Sequence, residues 1–385
     1  MMNVSRAALS LVLAGAALTA SPSMAQSVQS SAGPLSATVI ADGLEHPWAV
    51  AFLPDGRFLV TERPGRLVVI EEGASGAPIE GVPEVVARGQ GGLLDVALAP
   101  DFADTGIIYL SYAEPAASAG LQRGTGTAVM AARLVLEGNS GRLEDQRVIF
   151  RMNNFDNSNR HFGSRIVVGN DGNLFVTLGD RGTMDRAQDA GDLAGGVARI
   201  DPNGGVPDDN PGLEGWAAPL WSIGHRNPQG AALRQSDGAL FMVEHGAQGG
   251  DELNRVEGGR NYGWPVITYG RDYSGLPIGV GTEQDGMEQP LHYWDPSISP
   301  SGLAFYNGAM IPQWEGDLIV GGLSAHTLVR LDMEGDTVVD EEVLFSGDFG
   351  RIRDVRVNED GAIYLLTDAA NGQLIRVAPE GQAAQ

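Results

Sequence analysis

One phrase recurs six times along this chain: a short apolar strand, a polar turn often built on Asp-Gly, and a second apolar strand. The copies read AVAFLPDGRFLVTER, LLDVALAPDFADTGIIYLSYAE, SRIVVGNDGNLFVTLGD, QGAALRQSDGALFMVEH, SGLAFYNGAMIPQWEGDLIVGG and RDVRVNEDGAIYLLTD. The turn residues supply the positive φ that a hairpin requires. A third strand often follows, as in GRLVVI, GGVARID, LVRLD and GQLIRVA, so one unit takes roughly 60 residues. Helical periodicity is almost absent. This pattern predicts an all-β chain, a six-bladed β-propeller of four-stranded antiparallel blades, with longer insertions in the third to fifth units. Residues Ala37 to Ile40 precede the first unit and are placed to complete the sheet of the last, closing the ring. A two-sheet sandwich or separate β domains would also hold such strands, but six evenly punctuated copies favour radial packing. The chain then divides into a leader, 1–25, and a single propeller domain, 26–385.

The leader carries Arg6, an apolar run from Ala7 to Ala20, and Ser23 and Ala25 flanking Met24, the pattern of a signal peptide cleaved after Ala25. Its apolar run falls short of the roughly 20 residues a membrane helix needs. A periplasmic or secreted protein without an integral membrane segment is expected. There is no cysteine, so no disulfide, redox thiol or thiolate metal site is available. The 49 acidic residues outnumber 25 basic ones, a net charge of −24 that argues against nucleic acid and anionic membrane surfaces as partners. All the basic residues are arginine.

Polar phrases rich in glycine mark where chemistry can reside. His161, in NSNRHFGSR, comes just before a blade's first strand, and Asp180, in GDRG, just after the second. A hairpin returns its second strand to the level where the first began, so the pair can meet, with the carboxylate orienting the imidazole as a base. The plain structural reading, a loop-capping His161 and a turn-starting Asp180, is equally open at this level. His225 and His245 flank the next hairpin, while His46, His292 and His326 read as structural. Arg226 and Asn227 occupy the blade position equivalent to His161, and Arg351 and Arg353 in GRIRD share one strand face. Guanidinium groups converging in an acidic chain imply a polycarboxylate or phosphate ligand, unless Asp and Glu loops pair with them. In HGAQGGDELN, followed by NYGWP, the carboxylates of Glu244, Asp251 and Glu252 and the carbonyls of a glycine turn suit a hard cation such as calcium. No GxSxG or HExxH motif is present.

Taken in order, GQGGLLDVALAPDF, RHFGSR, GDRG, SIGHRNPQG, DELN with NYGWP, and GRIRD resemble the soluble aldose sugar dehydrogenases that use pyrroloquinoline quinone (PQQ), also called glucose/sorbosone dehydrogenases. The likeness spans about Leu44 to Val377. It implies oxidation of the anomeric carbon of an aldose to a lactone by hydride transfer to the quinone, with electrons passed to an external acceptor. His161 then matches the general base, Asp180 its orienting carboxylate, and Arg226 the group beside the quinone oxygen that becomes negative. Gln90, Asn227, Tyr273, Arg351 and Arg353 match cofactor contacts. The backbone carbonyls of Gly246 and Ala247 match ligands of the Ca2+ that polarises the quinone, and Glu252 and Tyr262 a second, structural calcium site. Two positions depart from the family pattern: Ser324 stands where a lysine is usual, and Ala247 where proline is common. A calcium-dependent lactonase or esterase propeller and a non-enzymatic ligand-binding propeller are the alternative readings. The preferred sugar, the acceptor, and the choice between monomer and homodimer are not encoded in any motif.

Overall fold

Every strand that the repeats predict belongs to one of six sheets. The computed structural model describes residues 26–71 and 73–382; the expected signal peptide lies outside the described residues. Six short strands run side by side around a central channel: Pro47–Phe52, Leu93–Leu98, Ile166–Val168, Pro228–Arg234, Pro300–Phe305 and Ile352–Val357. Each touches the next and the sixth touches the first, which closes a ring. From each of them a blade extends outward by antiparallel pairing. Among the described residues the only helical pieces are Phe102–Thr105 and two 3-10 turns, Met184–Gln188 and Pro312–Trp314.

The ring is closed as expected but over a longer stretch. Gly33–Leu44 pairs with Gly372–Pro379, from Leu35 opposite Pro379 to Leu44 opposite Gly372, so a segment that precedes the first blade in sequence forms the outer part of the sixth. Two blades exceed the four-strand plan. Gln26–Ser30 adds an outermost strand to the sixth, and Arg260–Asn261 adds a parallel edge to the third. The Asp-Gly turns adopt positive φ, with Gly56 at 88°, Gly172 at 81° and Gly361 at 88°.

Alternation along the strands explains why the blades stack. In Ile363–Thr367, Ile363 and Leu365 enter the core between the fifth and sixth blades, while Tyr364 and Leu366 enter that between the sixth and first. The same division yields one apolar core for each of the six interfaces. A sheet buried on both faces needs apolar residues at successive positions, which is why these strands read as runs.

Across the channel lies a ring of four charges. Arg165 Nη1 is 2.8 Å from Asp95 Oδ1 and its Nη2 is 3.0 Å from Asp354 Oδ1; Arg356 closes the circuit at 2.9 Å to Asp95 and 3.0 Å to Asp354. Asp95 also accepts the Ile166 N–H at 2.7 Å, Asp354 the Val50 N–H at 3.1 Å, and Arg165 Nε donates to the Gln229 carbonyl at 3.0 Å. One cluster thus ties the first, second, third, fourth and sixth blades, and Ser301 Oγ joins the fifth to the sixth through the Ile352 carbonyl at 2.6 Å. Removing one carboxylate leaves two buried guanidinium groups sharing a single anion. Asp95→Ala should therefore lower the unfolding free energy by about 3–5 kcal/mol in urea titration; an unchanged midpoint would show that the ring is dispensable.

Candidate active site

At the end of the channel where the inner strands begin, a cavity of about 870 Å³ gathers residues from loops far apart in sequence. Of the expected site residues it brings together Gln90, His161, Arg226, Gly246, Ala247, Tyr273, Ser324, Arg351 and Arg353 on one wall system. A second cavity, about 640 Å³ and lined mainly by aliphatic and aromatic residues, opens at the other end, where the same strands finish. The four-charge ring separates them: Arg165 stacks on Trp48 of the first cavity at 4.5 Å, and Arg356 lines the second.

The third blade's first hairpin pairs Ile166 with Val176. Continued past its last rung, it brings His161 and Asp180 face to face, with Nδ1 and Oδ1 2.6 Å apart. His161 holds φ at +53°, and a Cβ on Gly179 would run into the His161 carbonyl, so glycine is required for that close approach. Gln90 Oε1 accepts the His161 backbone N–H at 2.6 Å, which makes Gln90 a support of the base as well as a wall of the cavity. Burial disfavours a charged imidazole and, despite the opposing pull of Asp180, lowers the His161 pKa; the Arg226 cation adds to this. Burial by itself would raise the Asp180 carboxyl. Hydrogen bonds from His161, Gly182 and Trp264 outweigh that and hold it below the usual carboxylate range. The result is a neutral imidazole oriented by an anion.

The fourth blade repeats this arrangement. His225 Nδ1 meets Glu244 Oε1 at 2.9 Å, and both pairs have a sequence separation of 19. Yet His225 is fully buried, its Nε2 is taken by Ser222 at 2.9 Å, and its ring stacks on Tyr262. It has no nitrogen left for a ligand, whereas the His161 ring lines the cavity.

The cationic wall is partly paired from within. Asp368 Oδ2 accepts from Arg353 at 2.9 Å and from Arg351 at 3.3 Å, while its Oδ1 lies 3.2 Å from His46 Nδ1. Burial works to raise the Asp368 carboxyl, but Arg353 chiefly, then His46 and Arg351, hold it far below the usual range. Arg353 also donates to Gln229 Oε1 at 2.7 Å. Asp368 follows the second strand of its blade as Asp180 does, a positional signal that could have singled it out. Arg63 was likewise missed; it too lines the cavity, as does His46, which the sequence suggested was structural. Four arginines, Arg63, Arg226, Arg351 and Arg353, thus face two carboxylates, Asp295 and Asp368, in a wall that stays cationic inside an acidic protein. Asn227 is placed elsewhere. It is fully buried, and its Oδ1 accepts the Gly163 N–H at 3.4 Å instead of reaching the cavity. Tyr273 stands 71% exposed at the rim, and Ser324 Oγ donates to the Ser297 carbonyl at 3.2 Å.

The Gly246–Gly250 turn presents carbonyls. Arg226 Nη1 donates to the Gly246 carbonyl and to that of His245, the latter at 3.2 Å, so this backbone edge already attracts positive charge. Asp251 Oδ1 fixes the turn by accepting the Gly246 N–H at 2.8 Å. Behind it, Glu244 and Glu252 border a small cavity with Thr268, bridged by Asn254 Nδ2 at 3.3 and 3.1 Å. Burial, and secondarily Glu244, push the Glu252 carboxyl up to about 8. Two carboxylates so placed call for a shared proton or a cation. The Tyr262 phenol is already committed, donating to the Arg255 carbonyl at 2.6 Å and accepting the Glu257 N–H at 2.8 Å; only its backbone carbonyl is left for a metal. Among the described residues no set of three or more His, Cys, Asp or Glu side chains forms a metal cluster. Any cation bound here would be held by carbonyls and one or two carboxylates.

Residues 44–376 match the family model of Glucose / Sorbosone dehydrogenase, and the chain belongs to that family. It is 43% identical over 347 residues to the aldose sugar dehydrogenase YliI of Escherichia coli K12, covering 89% of this chain and 92% of that protein. The crystal structure of the soluble aldose sugar dehydrogenase from E. coli, in its apo form, superposes with a TM-score of 0.85 at 42% identity, over 90% of this chain and all (100%) of that one. The PQQ-bound aldose sugar dehydrogenase of Streptomyces coelicolor gives a TM-score of 0.74 at 28% identity, over 89% and 98% of the two chains.

The His161 environment has a measurable consequence. Its imidazole should titrate below the ordinary value of 6.5 in a histidine NMR titration, and lower still in Asp180→Asn, which removes the anion that favours the proton. Because the folded state resists protonating His161, its contribution to stability is present above the unfolded pKa and lost as pH falls. A titration midpoint at or above 6.5 would refute this account of the site.

Proposed function

We propose that this protein is an exported, PQQ- and calcium-dependent aldose sugar dehydrogenase that oxidises the anomeric carbon to a lactone and delivers the electrons to an external acceptor. The observation that carries the reading is the His161–Asp180 pair opening into the same cavity as Arg226, Arg351 and Arg353. An oriented neutral base, a cation beside it and a cationic clamp suit proton removal next to an anionic cofactor. Family membership and the PQQ-bound Streptomyces relative support it.

When bound, PQQ supplies a two-electron acceptor, and calcium supplies Lewis-acid polarisation of it. The chain's own residues do the rest. Arg351 and Arg353, with Arg63, would hold the carboxylates that such a cofactor carries. Gly246 and Ala247 offer carbonyls for the polarising calcium, and Glu252 with the Tyr262 carbonyl offers a second site. His161 accepts the anomeric hydroxyl proton at Nε2 as hydride leaves the same carbon, and Asp180 stabilises the imidazolium that results. Arg226, which lines the cavity with His161, would stabilise negative charge developing on a bound quinone, an effect largest in the transition state. A hydrolase would need carboxylate and amide side chains converging on one metal; this cavity converges guanidinium groups instead.

Reconstitution with PQQ and Ca2+ should give dye reduction with aldoses, and absence of turnover would overturn the assignment. His161→Ala should lower kcat by about 10²–10⁴-fold while quinone affinity is retained, as read by fluorescence titration. Arg353→Ala should do the converse first, weakening quinone binding by about tenfold or more, as expected for losing a charge-assisted contact. Ca2+ should raise the melting temperature of the wild type; Glu252→Gln should reduce that increment, and an equal increment in both would remove Glu252 from the metal site.

A further inference from the structure

Trp264 belongs to the NYGWP phrase, yet no role in the reaction has so far fallen to it. Its side chain is 5% exposed and meets three parts of the site at once. The indole Nε1–H donates to Asp180 Oδ2 at 2.9 Å, while Asp180 Oδ1 is occupied by His161 Nδ1 and by the Gly182 N–H, each at 2.6 Å. The ring face lies 5.3 Å from the Arg226 guanidinium carbon. Its apolar surface packs with Ala187 and Ala247, the latter in the carbonyl turn. The backbone is pinned as well, with Trp264 N–H donating to the Gly224 carbonyl at 3.0 Å and Gln188 Nε2 donating to the Trp264 carbonyl at 2.7 Å.

We propose that Trp264 is a positioning residue that sets the plane of the Asp180 carboxylate, and through it His161, in register with Arg226. The proposal rests on His161 being the base. A carboxylate turns about a broad two-fold torsion, so a donor on one oxygen alone leaves its plane poorly defined. The indole N–H holds the second oxygen, and the imidazole that bonds the first is thereby aimed. Arg226 needs the same residue for a different reason. Its buried Nε has no hydrogen-bond partner, and the indole face supplies the compensating electrostatic contact. Arg160 and His245 are the other charged or titratable groups bearing on His161, and a change at Trp264 leaves both in place.

The test uses Trp264→Phe, which keeps an aromatic face for Arg226 and deletes the N–H. In the enzyme loaded with PQQ and Ca2+, kcat should fall about tenfold, the size expected for losing a hydrogen bond to a charged group, with KM and quinone affinity within about twofold of wild type. In 15N-histidine spectra of the protein without quinone, the fraction of His161 protonated at Nδ1 should fall. In an Asp180→Asn background the substitution should have no further effect on kcat. Wild-type kcat with an unchanged His161 tautomer overturns the proposal, and so does an equal fall in kcat in the Asp180→Asn background. If the wild-type chain oxidises no aldose, the functional reading fails separately, and the His161 spectrum alone decides for or against Trp264. Should Trp264→Phe not fold, the Trp264 Nε1–H resonance is compared between wild type and Asp180→Asn: a displaced resonance supports the contact and an unmoved one overturns it.

Discussion

The four-charge ring of Arg165, Asp95, Arg356 and Asp354 is the point on which the geometry of the channel depends. Apolar cores between blades are non-directional and tolerate small rotations; a closed circuit of ion pairs near 3 Å does not. Because Gln229 and Trp48 touch this ring from above, the floor of the first cavity inherits its position. Arg353, held by the Gln229 side chain, inherits it in turn. The ring also divides the channel, so that an arginine-lined chamber and one lined mainly by aliphatic and aromatic residues occupy opposite ends of one scaffold.

Above that floor, the site is organised by a balance of charge. Cations dominate the wall, yet Asp368 reaches Arg351, Arg353 and His46 together. Arg351 and Arg353 are therefore set in place by the protein's own carboxylate, which would reduce the ordering that an anionic ligand must otherwise impose. On the other side, Asp180 orients His161 while Arg226 and burial keep the imidazole neutral. The candidate base and the arginine wall each rest on a carboxylate, Asp180 behind a neutral imidazole and Asp368 among guanidinium groups.

Much of the architecture was legible because strand alternation and turn chemistry are local properties. Six hairpins, their Asp-Gly turns and the closing strand could be read from neighbouring residues, although the closing strand runs longer than Ala37 to Ile40, and the added edge at Arg260–Asn261 left no pattern. Individual side-chain directions were less accessible. Asn227 adjoins Arg226 in sequence but turns inward to Gly163, because the chain bends at Arg226 just before the inner strand Pro228–Arg234 begins. His46 was passed over because it sits in a short loop before an apolar strand; only ring closure brings it to Asp368. Trp264 lay within a recognised phrase, yet its Asp180 contact spans 84 residues.

The sequence by itself determined the repeat, the family and the cast of charged residues, because those depend on residue type and on short-range spacing. It also contained two histidine–carboxylate pairs of the same separation, His161 with Asp180 and His225 with Glu244, one in each of two successive blades. Nothing local distinguishes them. The tertiary structure decided between them: Ser222 and Tyr262 close over His225, while His161, its backbone N–H held by Gln90 from a different blade, lines the cavity at the channel mouth. What makes one pair a candidate base and the other part of the core is which neighbours remain for the second ring nitrogen, and that depends on contacts between blades.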